Sequence, residues 1–185
     1  GCALGIRDLV PLELDIAKKL AEATLKIRPD LKFVVRPYPQ LENWVMYEEI
    51  KKMPNVVMDD SYRQKDLSVT ADRIFEKYEK IHHSIAFLHL GTTMGLEVCL
   101  TGKPSFIVDF ESKNKKVLSL YSFTHQTQNE KYLINASEKN TFKSLDDFKL
   151  FLQSTDDPSY LELNNTVKEF FPVISFSQFS EAILN

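Results

Sequence analysis

Apolar residues recur every three or four positions from Leu9 to Ile27. Leu9, Leu12, Ile16, Leu20, Ala23 and Ile27 fall on one face of a predicted helix. Pro11 fits because it occupies the first turn, and Arg28-Pro29-Asp30 ends the helix, since a residue preceding proline is driven out of the helical region. The preceding residues, Gly1 to Gly5, read as a loop. Leu31 to Val35 is a compact apolar run, stopped by Arg36-Pro37-Tyr38-Pro39, and reads as a buried parallel strand. A helix is predicted from Leu41 to Met53. A second strand follows at Asn55 to Met58, closed by Asp59-Asp60-Ser61, then a polar loop to Thr70. Ile74, Phe75 and Tyr78 mark a short amphipathic helix reaching Lys80. Ser84 to Leu90 and Ser105 to Phe110 are predicted as the third and fourth strands, with a helix from Thr93 to Thr101 between them. Gly102-Lys103-Pro104 is a stop signal: a glycine past the last turn, then a proline. Trp44, Tyr47 and the phenylalanines are expected in the core.

Strands that alternate with helices in this way predict parallel strands joined by right-handed crossovers. The expected fold is therefore α/β and Rossmann-like: a mostly parallel β-sheet with helices on both faces and a helical C-terminal tail over 143–185. In that tail Ser144 is expected to N-cap a helix to Gln153, with Asp146 and Asp147 in its first turn. Further helices are predicted at Tyr160 to Phe171 and Ser177 to Leu184. The whole of 1–185 reads as one domain. The alternation begins with a helix, whereas a crossover helix normally follows a strand. A first strand is expected just upstream of Gly1, either with Cys2 to Leu4 as its stub or in a longer chain from which this one is a piece.

Composition narrows the function classes. The chain has 185 residues, 43% of them hydrophobic, and a net charge of -3. Near-balanced charge argues against a general nucleic-acid binder, which needs an electropositive face to displace counterions. The densest basic cluster, Lys113, Lys115 and Lys116, reads as a solvated turn. Two distant cysteines, Cys2 and Cys99, make neither a disulfide framework nor a zinc site, and His82, His83, His89 and His125 show no metal-ligand spacing, so no metal is expected. No apolar run reaches the roughly 18 residues of a transmembrane segment. With no signal peptide visible, a reducing, cytoplasmic setting is expected, and the sequons at Asn135 and Asn164 read as chance matches.

The strongest chemical signal is the run from His89 to Glu97. A buried strand ends, Gly91 turns the chain, and Thr92 and Thr93 open a helix. The first N–H groups of a helix lack partners and carry partial positive charge, which favours an anion there. Threonine hydroxyls add donors, and Gly91 permits close backbone approach. The alternative is an ordinary N-cap with nothing bound. The run is neither a P-loop nor a G-x-G-x-x-G fingerprint. Glu97, one turn deeper on the same face as Thr93, is placed to accept from ribose hydroxyls, or else is a surface glutamate favoured by the helix dipole. Arg36 ends the first strand and suits a phosphate or carboxylate, or a structural ion pair. Asp59 and Asp60 have the chemistry to ligate Mg²⁺, but turn chemistry is the simpler reading. Asp109 ends the fourth strand on the same edge. His89, inside an apolar strand, reads as a core histidine, and His82-His83 as a helix end.

Taken in order, these segments resemble the C-terminal, donor-binding domain of GT-B glycosyltransferases. They are especially similar to bacterial surface-carbohydrate and capsule enzymes, and to UDP-N-acetylglucosamine 2-epimerases. The resemblance spans roughly Leu9 to Phe110 and rests on Arg36-Pro37-Tyr38-Pro39, Gly91-Thr92-Thr93-x-x-x-Glu97 and Gly102-Lys103-Pro104. It implies that Gly91, Thr92 and Thr93 hold the diphosphate of a nucleotide sugar and Glu97 the ribose, with Arg36 assisting. Tyr38 stands where the family usually has histidine, and Gly91 where it often has serine. The resemblance implies no cofactor beyond the nucleotide-sugar substrate. It also implies a missing N-terminal, acceptor-binding domain that supplies the catalytic base, so the isolated chain is expected to be inactive. No nucleic-acid partner is expected, while peripheral membrane association stays open. The alternatives are an epimerase-like domain and a non-catalytic Rossmann-like interaction module.

Overall fold

The computed structural model describes residues 6–37, 45, 47–59, 70–90, 92, 94–110 and 138–170. The elements run α1 (Ile6–Ile27), β1 (Phe33–Val35), β2 (Val56–Met58), α2 (Ala71–His83), β3 (Phe87–His89), α3 (Met94–Leu100), β4 (Ser105–Val108), β5 (Thr141–Phe142), α4 (Leu145–Gln153) and α5 (Glu162–Phe170). Among the described residues every strand pairing is parallel, as the alternation requires. The strands form two small sheets, β1-β2 and β3-β4-β5, rather than the single sheet expected.

The fold is built around β4. All four of its residues are buried, which requires cover on both faces. Phe106 and Val108 point to one face, where they pack with Ile16, Leu20 and Ala23 of α1, Phe142 of β5, and Phe148, Phe151 and Leu152 of α4. Ile107 points to the other, against Cys99 of α3 and Leu163 and Val167 of α5. The result is a three-layer, Rossmann-like α/β arrangement. The predicted face of α1 is confirmed at Ile16, Leu20 and Ala23, with Ile27 at its margin. The ring of Phe106 stacks on Phe142 at 4.5 Å and meets Phe151 at 4.7 Å.

The smaller sheet has its own cluster, with Val35 of β1 packed with Leu14, Tyr47 and Ile50. The helix expected over Leu41 to Met53 finishes as a 3-10 turn, Ile50–Lys52. Tyr47 sits in the core as predicted and donates to Oε2 of Glu13 at 3.1 Å. Burial pushes the Glu13 carboxyl above its usual range, the Tyr47 hydrogen bond acting in the other direction. Trp44 lies outside the described residues.

Local signals set several boundaries. Gly102 has φ +82°, the left-handed conformation that a helix-ending glycine supplies. Ser144 caps α4 with a capping box: its hydroxyl accepts from the N–H of Asp147, whose carboxylate accepts from the N–H of Ser144. Helix α5 starts later than Tyr160 because Pro158 and the Asp157 cap first form a 3-10 turn, Pro158–Leu161. The Ser177 to Leu184 helix falls outside the described residues. Helix α2 forms, but the apolar face expected to bury does not: Ile74 is 45% exposed and Phe75 69%, and only Ile81 is buried.

Buried asparagines pin the layers together. Asn55 donates to Ala21 O, tying β2's start to α1. Asn140 donates to Ser105 O and Tyr160 O. Asn164 of α5 donates to Cys99 O and Lys103 O, both at 3.0 Å, closing the turn after α3. Asn164 is 2% exposed, so this sequon is a structural pin and no glycan reaches it in the folded protein. Replacing Asn164 with Ala leaves two carbonyls short of a donor and is expected to cost about 2–3 kcal/mol. Thr166→Ala destroys the same sequon and is expected to change stability by less than about 0.5 kcal/mol. Urea unfolding of the two variants measures the contrast.

Candidate functional site

The residues expected to carry chemistry gather where the strands end. Arg36 follows β1, Asp59 follows β2, Thr92 follows β3 and Asp109 follows β4. In an open parallel sheet this carboxyl edge is where ligands bind. The ladders extend into it: Asp59 N–H donates to Val35 O, and Asp109 N–H to Phe142 O. Both residues are therefore held by backbone bonds, and both are buried.

Asp59 is the centre of the arrangement. Its side chain is 1% exposed, and its oxygens accept from Arg36 Nε and Lys80 Nζ, each at 2.5 Å. A carboxylate so far from water requires such partners. The turn role and the Mg²⁺ role considered for Asp59 thus give way to that of a buried counter-ion joining β1, β2 and α2. Asp60 and Ser61 lie outside the described residues.

The Arg36 guanidinium reaches further, with Nη1 3.9 Å from Sδ of Met94, the first residue of α3. It thereby stands beside the helix mouth. There Thr92 O accepts from Gly95 N–H at 2.9 Å, and Thr92 Oγ1 receives Met94 N–H at 3.4 Å, a long contact for a cap. Gly91 and Thr93 lie outside the described residues, as does Tyr38. Glu97 projects toward α2, where Oε2 accepts from Lys77 Nζ and, at 3.1 Å, from Tyr78 OH. Its side chain is 41% exposed. Burial, then the Glu97 hydrogen bond, raises the Tyr78 pKa. Glu97 therefore joins α3 to α2.

Lys77, Tyr78 and Lys80 were absent from the sequence-based site. Their signal was present: Lys77 and Lys80 lie three residues apart, one turn of the same helix. The apolar face predicted for this helix, Ile74, Phe75 and Tyr78, points to burial and not to these polar contacts.

His89 is a core residue, as expected. It is 6% exposed, its ring stacks on Phe87 at 5.8 Å, and it lies against the backbone of Gly95 in α3. A Cβ on Gly95 would fall 2.4 Å from His89 Nε2, so only glycine allows this approach. Desolvation pushes the imidazole down to about 4, keeping it neutral. His82 and His83 end α2, as predicted. Cys99 is a buried free thiol, pushed up to about 11 by burial.

Among the described residues no group of three or more His, Cys, Asp or Glu side chains is placed to hold a metal ion, and no helix is long and apolar enough to cross a membrane. Comparison with protein-family models, with curated proteins and with solved structures returns no match for this chain.

Two outcomes are expected. Asp59→Ala removes the buried carboxylate shared by Arg36, whose side chain is 20% exposed, and the half-exposed Lys80, and should cost about 2–3 kcal/mol. Lys80→Ala, with its half-exposed side chain, should cost about 1 kcal/mol or less, as denaturant titration would show. The His89 pKa is lower in the folded state than its ordinary 6.5, so the unfolded chain binds the proton more readily. Its contribution is complete above pH 6.5 and is lost as pH falls toward 4, by about 3 kcal/mol in total. Melting temperatures across this range should fall less steeply for a folded His89→Gln variant than for the parent.

Proposed function

We propose that this chain is the donor-binding half of a nucleotide-sugar-dependent glycosyltransferase acting in surface-polysaccharide or glycan biosynthesis. The observation that carries the reading is the reach of Arg36 from the end of β1 to Met94 at the mouth of α3. A planar cation there lies beside the first turn of α3 and the Thr92 hydroxyl, a combination suited to phosphate oxygens. Lys80, joined to Arg36 through Asp59, brings a second cation to the same edge. In this reading Gly91, Thr92 and Thr93 hold the diphosphate, with Arg36 beside them. Glu97 takes the ribose hydroxyls on an oxygen that Lys77 and Tyr78 orient. The shared task is to neutralise the nucleoside diphosphate as it departs, which is electrostatic stabilisation of a leaving group. The acceptor and the catalytic base belong to a second domain, and closure of the two halves brings the substrates together.

One observation favours a second reading, a non-catalytic interaction module. Glu97 already accepts from Lys77 and Tyr78, as a purely structural glutamate would.

Calorimetry with UDP, CDP, GDP and the corresponding monophosphates separates the two. Donor binding predicts preference for one nucleoside diphosphate. Arg36→Gln and Thr93→Ala should each weaken it about 10-fold or more, the scale of one charge-assisted hydrogen bond. Absence of binding at millimolar nucleotide by the folded protein would overturn the donor reading for this chain.

A further inference from the structure

Helix α2 is built inside out. Arg73, Lys77 and Ile81 recur every four residues and form its inward row: Ile81 is buried and the other two are half-buried. Charge meets this side of the helix. Glu97 of α3 accepts from Lys77, and Asp59 accepts from Lys80. The apolar residues turn outward, where a helix that packs on a core would place its polar face. Ile74, Phe75 and Tyr78 are 45%, 69% and 37% exposed, and Tyr78 reaches Glu97 only with its hydroxyl.

The smaller sheet has a matching apolar face. Val34 and Val57 are register partners in β1 and β2, and they are 53% and 45% exposed. Phe33, Val35, Val56 and Met58 point the other way, into the cluster around Leu14 and Ile50. Alternation carries Arg36 and Asp59, the next residues in register, to the same side as Val34 and Val57. Their mutual hydrogen bond agrees with that placement. Lys80 therefore reaches Asp59 from the side of the sheet on which the two valines lie. Helix α2 thus stands at the rim of an exposed apolar face, with its own apolar row turned away from it.

We infer that α2 is a two-position helix. In the position described it is latched by Lys77 to Glu97 and by Lys80 to Asp59. In the second it is rolled by about a quarter turn, which brings Ile74, Phe75 and Tyr78 onto Val34 and Val57. Ile81 lies between the two rows on the helix circumference, so it stays inward in both positions and serves as the pivot. The latched position is held by charge at partly exposed groups, which salt screens. The rolled position is held by apolar burial, which does not depend on charge. Ionic strength therefore sets the balance between them. The consequence reaches the candidate site. When α2 is latched, one turn of one helix holds both Glu97 and the Asp59 counter-ion that aims Arg36. When it rolls, Asp59 keeps Arg36, Glu97 loses Lys77, and the two ends of the site are set independently.

Disulfide trapping tests this on the full chain with Cys2→Ser, Cys99 being buried. The reporting pair is Val57→Cys with Phe75→Cys. The control pair is Leu150→Cys with Phe75→Cys, Leu150 being an exposed residue of α4, which packs on the α1 side of β4. The 57–75 bond is expected to form about 10-fold faster in 1 M than in 50 mM sodium chloride, the scale of two part-exposed ion pairs. Adding Lys77→Gln and Lys80→Gln should make it fast at both concentrations. If that variant does not fold, the salt dependence of the parent pair decides alone. Trapping of 57–75 no faster than the control pair, or independent of salt, would overturn the inference. So would 57–75 bonds that join two chains, because the apolar row would then belong to a second copy.

Discussion

The architecture depends on β4 being buried from both sides. A strand with a polar face can rest on one helix layer, but Phe106, Ile107 and Val108 leave no face for water. Each layer is then recruited in turn: α1 and α4 over Phe106 and Val108, α3 and α5 over Ile107. The polar contacts follow from this sandwich. Asn140 and Asn164 reach carbonyls at the strand and helix ends because those carbonyls are enclosed by the layers and need donors from within.

The site obeys the same logic at its rim. Once β1 and β2 are paired, Asp59 is drawn into the ladder and away from water, and its charge must be met. Arg36 and Lys80 supply that from two different elements. The ion pair therefore orients a guanidinium as much as it holds the chain. Because Asp59 takes Nε, the outer end of Arg36 is aimed toward α3 instead of sweeping through solvent.

Much of this was legible in the sequence where a local cause operates. The faces of α1, the Gly102 stop and the Ser144 cap follow from periodicity, chirality and short-range hydrogen bonding. The strands were found from their apolar runs, although each is shorter than its run, because pairing stops where no neighbour remains. Strand β5 escaped notice: two residues, Thr141 and Phe142, give no periodicity, and their pairing with β4 depends on a distant partner. Helix α2 misled for the same reason. Its apolar residues promised burial, yet its position depends on Ile81 and on ion pairs to Asp59 and Glu97. At the site, the strand-end position of Arg36 and Asp59 could be read. That they meet each other and Lys80 could not, since 23 and 21 residues separate Asp59 from its partners.

The approach of Gly95 to His89 fixes something of another kind. Most core positions tolerate drift, since a methyl group gained in one place can be absorbed by a shift in another. Here a single hydrogen atom separates the first turn of α3 from an aromatic ring anchored in a strand. The helix mouth can move outward, but it cannot come closer, and no larger residue at position 95 keeps it where it is. How deep the mouth of α3 sits relative to the sheet is thereby written into one codon. Alanine at position 95 would force the first turn of α3 and the His89 ring apart.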